Sequence, residues 1–157
     1  MYTEDHICLA WVLNQLGKIY RDTGRYREAK KLIGQSLVTY IKEYGEDHLR
    51  TGFILRDLGD LFLLTKNLKS AENYFHQALM IMRAYKPAES YIDLQKLSDV
   101  YSEKCNKALT EGDQVLEQVC KDHSIEYLEN SLSIIELYLP PNSPYRLGIM
   151  NKLKKLK

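Results

Sequence analysis

A pattern in residues 2–44 that recurs 42 residues later constrains this chain of 157 residues more than any other feature. The Leu-Gly pair at residues 16–17 returns at residues 58–59, and the Glu-Asp-His run at residues 4–6 returns at residues 46–48. A period of about 20 to 50 residues is typical of solenoids, in which each repeat is one supersecondary unit that stacks on the next. The sequence therefore predicts a stack of similar structural units with one continuous core.

Each copy of the pattern has the apolar spacing of two helices separated by a short turn. Residues 7–23 carry apolar side chains three or four positions apart, and residues 26–44 continue this helical period after the turn at Gly24. So short a turn makes the two helices antiparallel. The second copy predicts a matching pair at residues 49–65 and 68–85, and the fold class is therefore all-α, built from antiparallel helix hairpins.

The apolar stripe of the first helix is expected to face the core. Its members are Leu9, Val12, Leu13, Leu16, Ile19 and Tyr20. Gly17 and Gly59 interrupt the two first helices, where glycine is less favourable than alanine by about 1 kcal/mol, so a close contact with a neighbouring helix is expected as compensation.

The ends of the helices carry residues that favour caps. Gly45 is expected to end the second helix and Asp47 to cap the third, because glycine suits a helix C-terminus and a short acidic side chain suits an N-terminus. Thr3, Asp5 or His6 is expected to cap the first helix.

A third copy is altered by an insertion. Its first-helix pattern follows the second copy at an offset of 39 residues and its second-helix pattern at an offset of 53, which leaves 14 additional residues in the region 106–120. The sequence on either side of Gly112 is helical in character, so two longer helices with a break near this glycine are expected. Beyond Pro144, the pairing of Ile149 with Phe53 indicates the first helix of a fourth unit. The expected organisation is a single domain at 1–157 with repeats at about 7–44, 49–86 and 89–139, the insertion near 106–120, and a partial fourth unit at 144–157.

Composition narrows the classes of partner. The chain has 22 basic and 21 acidic residues, so no global field favours nucleic acid or an anionic membrane, and neither is an expected partner. Three widely separated cysteines suit a reducing compartment, and no apolar run approaches the roughly 18 residues that span a bilayer. A cytoplasmic location is expected.

Catalytic and metal-binding patterns are weak. His6 and His48 occupy equivalent turn positions of the repeat, and Cys120 with His123 lacks the second pair of ligands that a structural zinc site needs. The sequence has no glycine-rich phosphate loop and no nucleophile elbow. We therefore expect no catalytic residue, no metal site and no cofactor, and expect that the protein is not an enzyme.

The repeated positions resemble the tetratricopeptide repeat. In the first copy the signature spacing of that family is met by Leu13, Leu16, Gly17, Tyr20, Ala29, Ile33 and Ser36, and in the second by Leu55, Leu58, Gly59, Phe62, Ala71, Phe75 and Ala78. The longer period and the Gly-Glu-Asp-His turn are most similar to repeats of the kinesin light chain type. The resemblance implies a right-handed superhelical solenoid of about three repeats plus a terminal helix, with the first helices lining a concave peptide-binding groove.

Positions of the first helices that lie off the core stripe are candidates for this groove. They are Trp11, Asn14, Gln15, Lys18, Arg21, Phe53, Arg56, Asp57, Asp60, Gln95, Lys96 and Asp99. The family resemblance implies that Asn14 holds peptide backbone, since an amide both donates and accepts hydrogen bonds. Lys18, Arg56 and Lys96 form a basic track that can meet a carboxylate, whereas Trp11 and Phe53 suit either the core or peptide stacking.

These observations favour a non-catalytic scaffold or adaptor that binds a peptide segment of a protein partner in the groove. The alternative is a structural segment of a larger repeat protein that mediates self-association or packing within one chain. The insertion near Gly112 and the unpaired last helix favour this alternative.

Overall fold

The computed structural model describes residues 3–157, which form seven α-helices and a short 3₁₀ turn, Pro87–Glu89. Tyr2, the first position of the repeat, lies outside the described residues. The helices are α1 (Thr3–Asp22), α2 (Tyr26–Tyr44), α3 (Leu49–Leu64), α4 (Leu68–Tyr85), α5 (Tyr91–Glu111), α6 (Gln114–Tyr138) and α7 (Pro144–Leu156).

Glycine ends two of the helices where the sequence predicted it. Gly45 follows α2 with φ of 92°, and its N–H donates to the carbonyl of Ile41. Gly112 follows α5 in the left-handed region with φ of 76°, so the helix break expected near this residue is present. A residue with a Cβ would be strained at either position, because L-amino acids rarely adopt such φ values.

The predicted N-caps are wrong. His48, not Asp47, caps α3, and its Nδ1 accepts a hydrogen bond of 3.2 Å from the backbone N–H of Arg50. Asp5 and His6 lie inside α1, which already includes Thr3. The helix α3 starts at Leu49 as predicted, but its cap is one residue later than expected, at a side chain that can accept through a ring nitrogen.

The first of two compact units, Met1–Ile81, is held together by close contacts between helices. The helices α1 and α2 pack along each other, and α3 packs on α2. Ile33 is fully buried, and its Cγ1 lies 2.6 Å from the place where a Cβ on Gly17 would be. The ring of Phe75 approaches Gly59 as closely, at 2.5 Å. The expected reason for both glycines, a close helix contact, is therefore confirmed.

The expected core stripe of α1 is wrong at four positions. Leu13 and Tyr20 are half-buried, but the other four members are exposed: Leu9, Val12, Leu16 and Ile19. The residues that α1 buries are instead Ala10, Asn14 and Gly17. The stripe is exposed because no described helix packs against that side of α1, whereas α2 covers the matching side of α3.

The second unit, Met82–Lys157, contains the longest hairpin of the chain, made of α5 with 21 residues and α6 with 25. The 14 additional residues therefore lengthen both helices rather than form a loop. Buried serines join the two helices: the hydroxyl of Ser124 lies 2.8 Å from that of Ser98 and 3.0 Å from that of Ser102. Ser98 occupies the place of Gly59 in this copy, so a hydrogen bond replaces a glycine contact.

The last helix, α7, packs on α6 and completes the core of this unit. Ile149, Leu153 and the half-buried Leu156 point toward Leu128 and Ile135 of α6. This spacing matches the buried residues Ile54, Leu58 and Leu61 of α3. The predicted pairing of Ile149 with Phe53 is therefore wrong by one residue, because burial aligns Ile149 with Ile54. The division of residues 1–157 into repeats of one domain stays a prediction.

Candidate functional site

A groove with a volume of about 1000 Å³ lies between α1 and α3 in the first unit. It is lined by Ile7, Cys8, Trp11, Val12, Asn14, Gln15, Lys18, Tyr40, Arg50, Phe53, Ile54, Arg56 and Asp57. The volume is that of an ordinary ligand-binding cleft, large enough for several side chains of a peptide.

The apolar part of the groove is formed by aromatic and aliphatic side chains from three helices. Trp11 is 57% exposed, so it is not the core residue that one sequence interpretation allowed. Phe53 is half-buried, while Tyr40 and Ile54 are buried. A large exposed indole beside such residues offers contact area to a ligand at little conformational entropy, because its side chain has only two torsions.

Asn14 is the most buried polar residue of the groove, with 4% of its surface exposed. Its Nδ2 donates a hydrogen bond of 2.8 Å to Oδ2 of Asp57, which fixes the orientation of the amide. Its buried Oδ1 has no hydrogen-bond partner among the described residues. Because an unsatisfied buried acceptor is unfavourable, this oxygen is suited to accept an N–H group from a ligand or from water.

Charged side chains continue from Asp57 toward the end of α1. Oδ1 of Asp57 lies 3.8 Å from Nζ of Lys18 and 3.9 Å from the guanidinium of Arg21, which is also 3.6 Å from Asp60. Burial raises the pKa of Asp57, and the hydrogen bond from Asn14 and the two cations offset this only in part. For Arg21, burial acts to lower the pKa, but the hydrogen bond and charge of Asp22 with the charges of Asp60 and Asp57 raise it overall.

The lining contains more cationic than anionic side chains. Among the residues whose side chains the structure describes, Lys18, Arg50 and Arg56 line the groove, and Asp57 is the one acidic residue in the lining. Arg50 donates a hydrogen bond of 2.7 Å to the hydroxyl of Tyr44, and the guanidinium of Arg56 lies 5.7 Å from the centre of the Phe53 ring. Because these three cations line the same groove, this part of it favours an acidic group on a ligand.

The predicted site residues fall into two groups that the structure places in different units. Those in the first unit line the groove or adjoin it: Trp11, Asn14, Gln15, Lys18, Phe53, Arg56 and Asp57 line it, and Arg21 and Asp60 contact the charged network behind Asp57. Gln95, Lys96 and Asp99 are half-buried on α5 in the second unit. Asp99 accepts a hydrogen bond of 2.8 Å from Lys152 of α7.

Several lining residues were missed because they precede the predicted positions by one turn or were assigned to the core. Cys8 and Arg50 stand three residues before Trp11 and Phe53, so the 42-residue offset that aligns the two aromatic positions also aligns these two. Tyr40 carries the core period of α2 but also borders the groove. Applying the 42-residue offset one helical turn further toward the N-terminus of each first helix would therefore have predicted Cys8 and Arg50.

Other functional classes find little support in the part of the chain that the structure describes. No three side chains among His, Cys, Asp and Glu there are grouped as metal ligands, and none of the three cysteines forms a disulfide there. Nδ1 of His123 lies 3.7 Å from a carboxylate oxygen of Glu126, and its ring is tilted against that of Tyr101, while Cys120 is buried. Among the helices of residues 3–157, none combines the length and apolar character that a membrane span requires.

Comparison with models of known protein families identifies the family of this chain. The profile of the tetratricopeptide repeat matches residues 2–84, which is more than half of the chain. The chain belongs to the tetratricopeptide repeat family. Tetratricopeptide repeats are in general modules for protein–protein interaction rather than catalytic domains. A search of curated proteins found no match.

Solved structures of similar fold come from proteins related to kinesin light chains. One is BtubC (BKLC) from P. vanneervenii, with 20% identity, a TM-score of 0.62, and coverage of 85% of this chain and 50% of that one. Another is a Podosopora anserina protein assigned to the kinesin light chains, with nearly identical TPR-like repeats, at 16% identity and a TM-score of 0.68. This match covers 96% of the present chain and 66% of the Podosopora anserina chain. At these identities the likeness shows the fold alone, and it confirms the predicted all-α helical-repeat class.

The chain spans between half and two thirds of the length of these two structures. Both solved chains therefore contain further residues outside the region that matches this chain.

Proposed function

We propose that this tetratricopeptide repeat protein binds an extended peptide segment of a protein partner in the groove between α1 and α3. The observation that carries the proposal is Asn14, whose buried Oδ1 lacks a partner and whose amide is held in place by Asp57. A backbone N–H of a bound peptide would satisfy this oxygen. The protein would then act as a non-catalytic scaffold or adaptor, with no cofactor.

The lining indicates which peptide chemistry fits. An apolar side chain would pack beside Trp11 and Phe53, and an acidic neighbour would meet Lys18 and Arg56. An apolar contact provides most of the binding free energy at such sites, whereas charges mainly select the partner and its orientation. Nucleic acid and membranes are not proposed as partners, since the net charge of +1 provides no broad cationic surface.

Trp11 allows a direct test, because it is the only tryptophan of the chain. Peptides selected from a library on the purified protein should change the Trp11 fluorescence on binding, since the indole would move from water to an apolar contact. For such a peptide, Arg56→Glu should raise the Kd by about tenfold or more, because it places a carboxylate beside the acidic residue of the ligand. Asn14→Ala should also weaken binding, through the lost hydrogen bond to the peptide backbone.

A charge reversal elsewhere on the same unit provides the control. Lys31 is exposed on α2 and does not line the groove, so Lys31→Glu should bind the selected peptide as the unchanged protein does. Circular dichroism must show that each variant keeps its helix content. The proposal is contradicted if Arg56→Glu and Lys31→Glu bind the peptide equally well.

A further inference from the structure

Two of the three cysteines lie on the two helices of the long hairpin in the second unit. Cys105 is half-buried on α5, and Cys120 on α6 is only 3% exposed. They mark the two ends of the inserted region, with residues 106–119 between them. Neither thiol lines the groove of the first unit, so its proposed function does not account for them.

The register of the hairpin places the two cysteines opposite each other. The hydroxyl of Ser124 on α6 lies 3.0 Å from that of Ser102 on α5. Because the helices are antiparallel, a step forward along α5 corresponds to a step back along α6. Cys105 is three residues beyond Ser102, and Cys120 is four residues before Ser124, so each is the next residue on the same face of its helix. Cys105 and Cys120 therefore form the next facing pair after the serines.

The charges that act on Cys105 agree with this register. Burial and the charge of Glu117 raise the pKa of the Cys105 thiol, while the charge of Lys121 acts to lower it. Glu117 and Lys121 stand three residues before and one residue after Cys120 on α6. Since charges near a protein surface act strongly only over short distances, Cys105 faces the turn of α6 that contains Cys120.

The two helices approach closely enough for a covalent bond between them. The short side chain of Ser124 reaches the backbone carbonyl of Ser98 on the opposite helix at 3.1 Å. Ala108, three residues beyond Cys105, is fully buried, so the close packing continues past the cysteines. At so close an approach, facing residues can meet the separation of about 4.4–6.8 Å between Cα atoms that a disulfide requires.

We propose that Cys105 and Cys120 form a reversible disulfide across the α5–α6 hairpin, by exchange with a small-molecule disulfide such as oxidised glutathione. The thiolate of Cys105, the more exposed of the two, attacks one sulfur of oxidised glutathione and releases one glutathione thiolate. The thiolate of Cys120 then attacks the sulfur of Cys105 and releases the second glutathione.

The exchange balances without another reactant. Two protein thiols are oxidised to one disulfide, one glutathione disulfide is reduced to two thiols, and the protons that the cysteines lose are taken up by glutathione. The raised pKa of Cys105 leaves little thiolate, so the exchange is slow and its equilibrium is the property to measure. Excess reduced glutathione reverses it, and a transient disulfide of this kind is compatible with a reducing compartment.

Peptide mapping by mass spectrometry tests the proposal on the full chain after incubation with oxidised glutathione and alkylation of the remaining thiols. Trypsin cleaves after lysine, so cleavage at Lys107 separates Cys105 from Cys120 in the reduced protein. In the oxidised protein the two fragments should stay joined, and reduced glutathione should release them. Cys8, exposed on α1 of the other unit, is the internal reference and should carry glutathione as a mixed disulfide only.

Two variants test the roles and the register. Cys120→Ser should retain one glutathione on Cys105, because the second exchange then lacks its thiol. Adding Asp122→Cys to this variant is the matched control, since Asp122 is on the exposed side of α6 only two residues further along. It should give no joined fragment.

Hydrogen exchange measures what the disulfide does to the hairpin. Amide exchange within residues 105–120 should slow by about tenfold or more on oxidation, because the bond closes a loop that contains the inserted residues. The Cys120→Ser variant with glutathione on Cys105 should show no such slowing.

Three results would overturn the proposal. Glutathione that stays on Cys105 of the unchanged protein, with no joined fragment, would show that Cys120 is out of reach. Equal joining through Asp122→Cys would show that the register of the hairpin does not select the pair. Joined fragments found only in chains of doubled mass would place the bond between two molecules. None of these measurements involves a peptide ligand, so they are independent of the groove.

Discussion

At the level of single residues, close packing between helices depends on glycine at two equivalent positions. A Cβ at Gly59 would lie 2.5 Å from the fully buried ring of Phe75. Gly34 provides the contrast, since it is also helical but has no atom within 4 Å of an added Cβ. The two sites separate the effect of packing from the effect of helix propensity.

Gly59→Ala is expected to lower the free energy of unfolding by about 1–3 kcal/mol, because the added methyl group overpacks the contact with Phe75. Gly34→Ala is expected to raise the same quantity by up to about 1 kcal/mol, because alanine favours a helix. Urea unfolding measures both. A stabilised Gly59→Ala variant would show that the ring of Phe75 moves aside without penalty.

Asp57 predicts a dependence of stability on pH. Burial raises its pKa in the folded protein above the unfolded value of about 3.9. The folded state therefore binds the proton more tightly than the unfolded state. The contribution of Asp57 to the free energy of unfolding is present at low pH and falls as pH rises from the unfolded pKa through the higher folded pKa. Asp57→Asn removes the titrating group but keeps the side chain size.

Unfolding free energies of the unchanged protein and of Asp57→Asn should be measured at about pH 7 and about pH 4. The value for the unchanged protein minus that for the variant should be larger at the lower pH. A difference that becomes smaller on acidification would mean that Lys18 and Arg21 dominate over burial, in which case the ionised form would be the favoured one.

At the level of helix pairs, the α5–α6 hairpin uses hydroxyl groups where the first unit uses glycine and alanine. The buried hydroxyl of Ser124 lies within hydrogen-bond distance of two other serines, Ser98 and Ser102. It can also donate to the carbonyl of Ser98 at 3.1 Å. Small polar residues thus allow the two helices to approach closely while their polar atoms remain satisfied.

Ser124→Ala is expected to lower the free energy of unfolding by about 1–2 kcal/mol, since it leaves buried hydroxyls without their partner. Ser133 lies on the exposed side of α6 and bonds only the carbonyl of Glu129, so Ser133→Ala should change stability by less than about 0.5 kcal/mol. Thermal unfolding of the two variants makes the comparison. Equal melting temperatures would show that the serine cluster contributes little to the hairpin.

At the level of the whole molecule, the chain forms two compact units, and the second unit depends on its last helix. Ile149 and Leu153 of α7 are buried against α6. Two ion pairs in the C-terminal part of the helix add to this contact: Lys152 bonds Asp99, and Lys157 bonds Glu129. The exposed side of α7 carries lysines as well as the apolar residues Tyr145 and Leu147.

Ile149→Ala should lower the free energy of unfolding of the second unit by about 2–4 kcal/mol, because it leaves a cavity between α6 and α7. Amide hydrogen exchange should show the loss as reduced protection within Met82–Lys157. Leu147 is exposed on the same helix, so Leu147→Ala is the control and should preserve protection. Unchanged protection in Ile149→Ala would mean that α7 contributes little to this core.

Much of the fold follows from the sequence alone. Helix positions and the breaks at Gly45 and Gly112 were predicted, because they depend on backbone preferences and on side chains within a few residues. The close contacts at Gly17 and Gly59 were predicted from the cost of glycine inside a helix, which a tight contact with another helix offsets. The candidate groove was predicted in part. The repeat offset identified the inward positions of α1 and α3 that line it, but the contributions of Tyr40 and Arg50 depend on where α2 and the following turn lie.

The sequence by itself determined the repeat, its family and the type of each helix, since periodicity and breaking residues act locally along the chain. Only the tertiary structure decided which faces are buried. Ile54, Leu58 and Leu61 of α3 are covered because α2 lies beside them. Val12, Leu16 and Ile19, at the equivalent positions of α1, are exposed because no described helix lies beside them. Asn14 is buried although it is polar, because Asp57 on the neighbouring helix receives its hydrogen bond. A side chain is buried only when a second surface packs on it, and the residue pattern of one helix describes only one of those two surfaces.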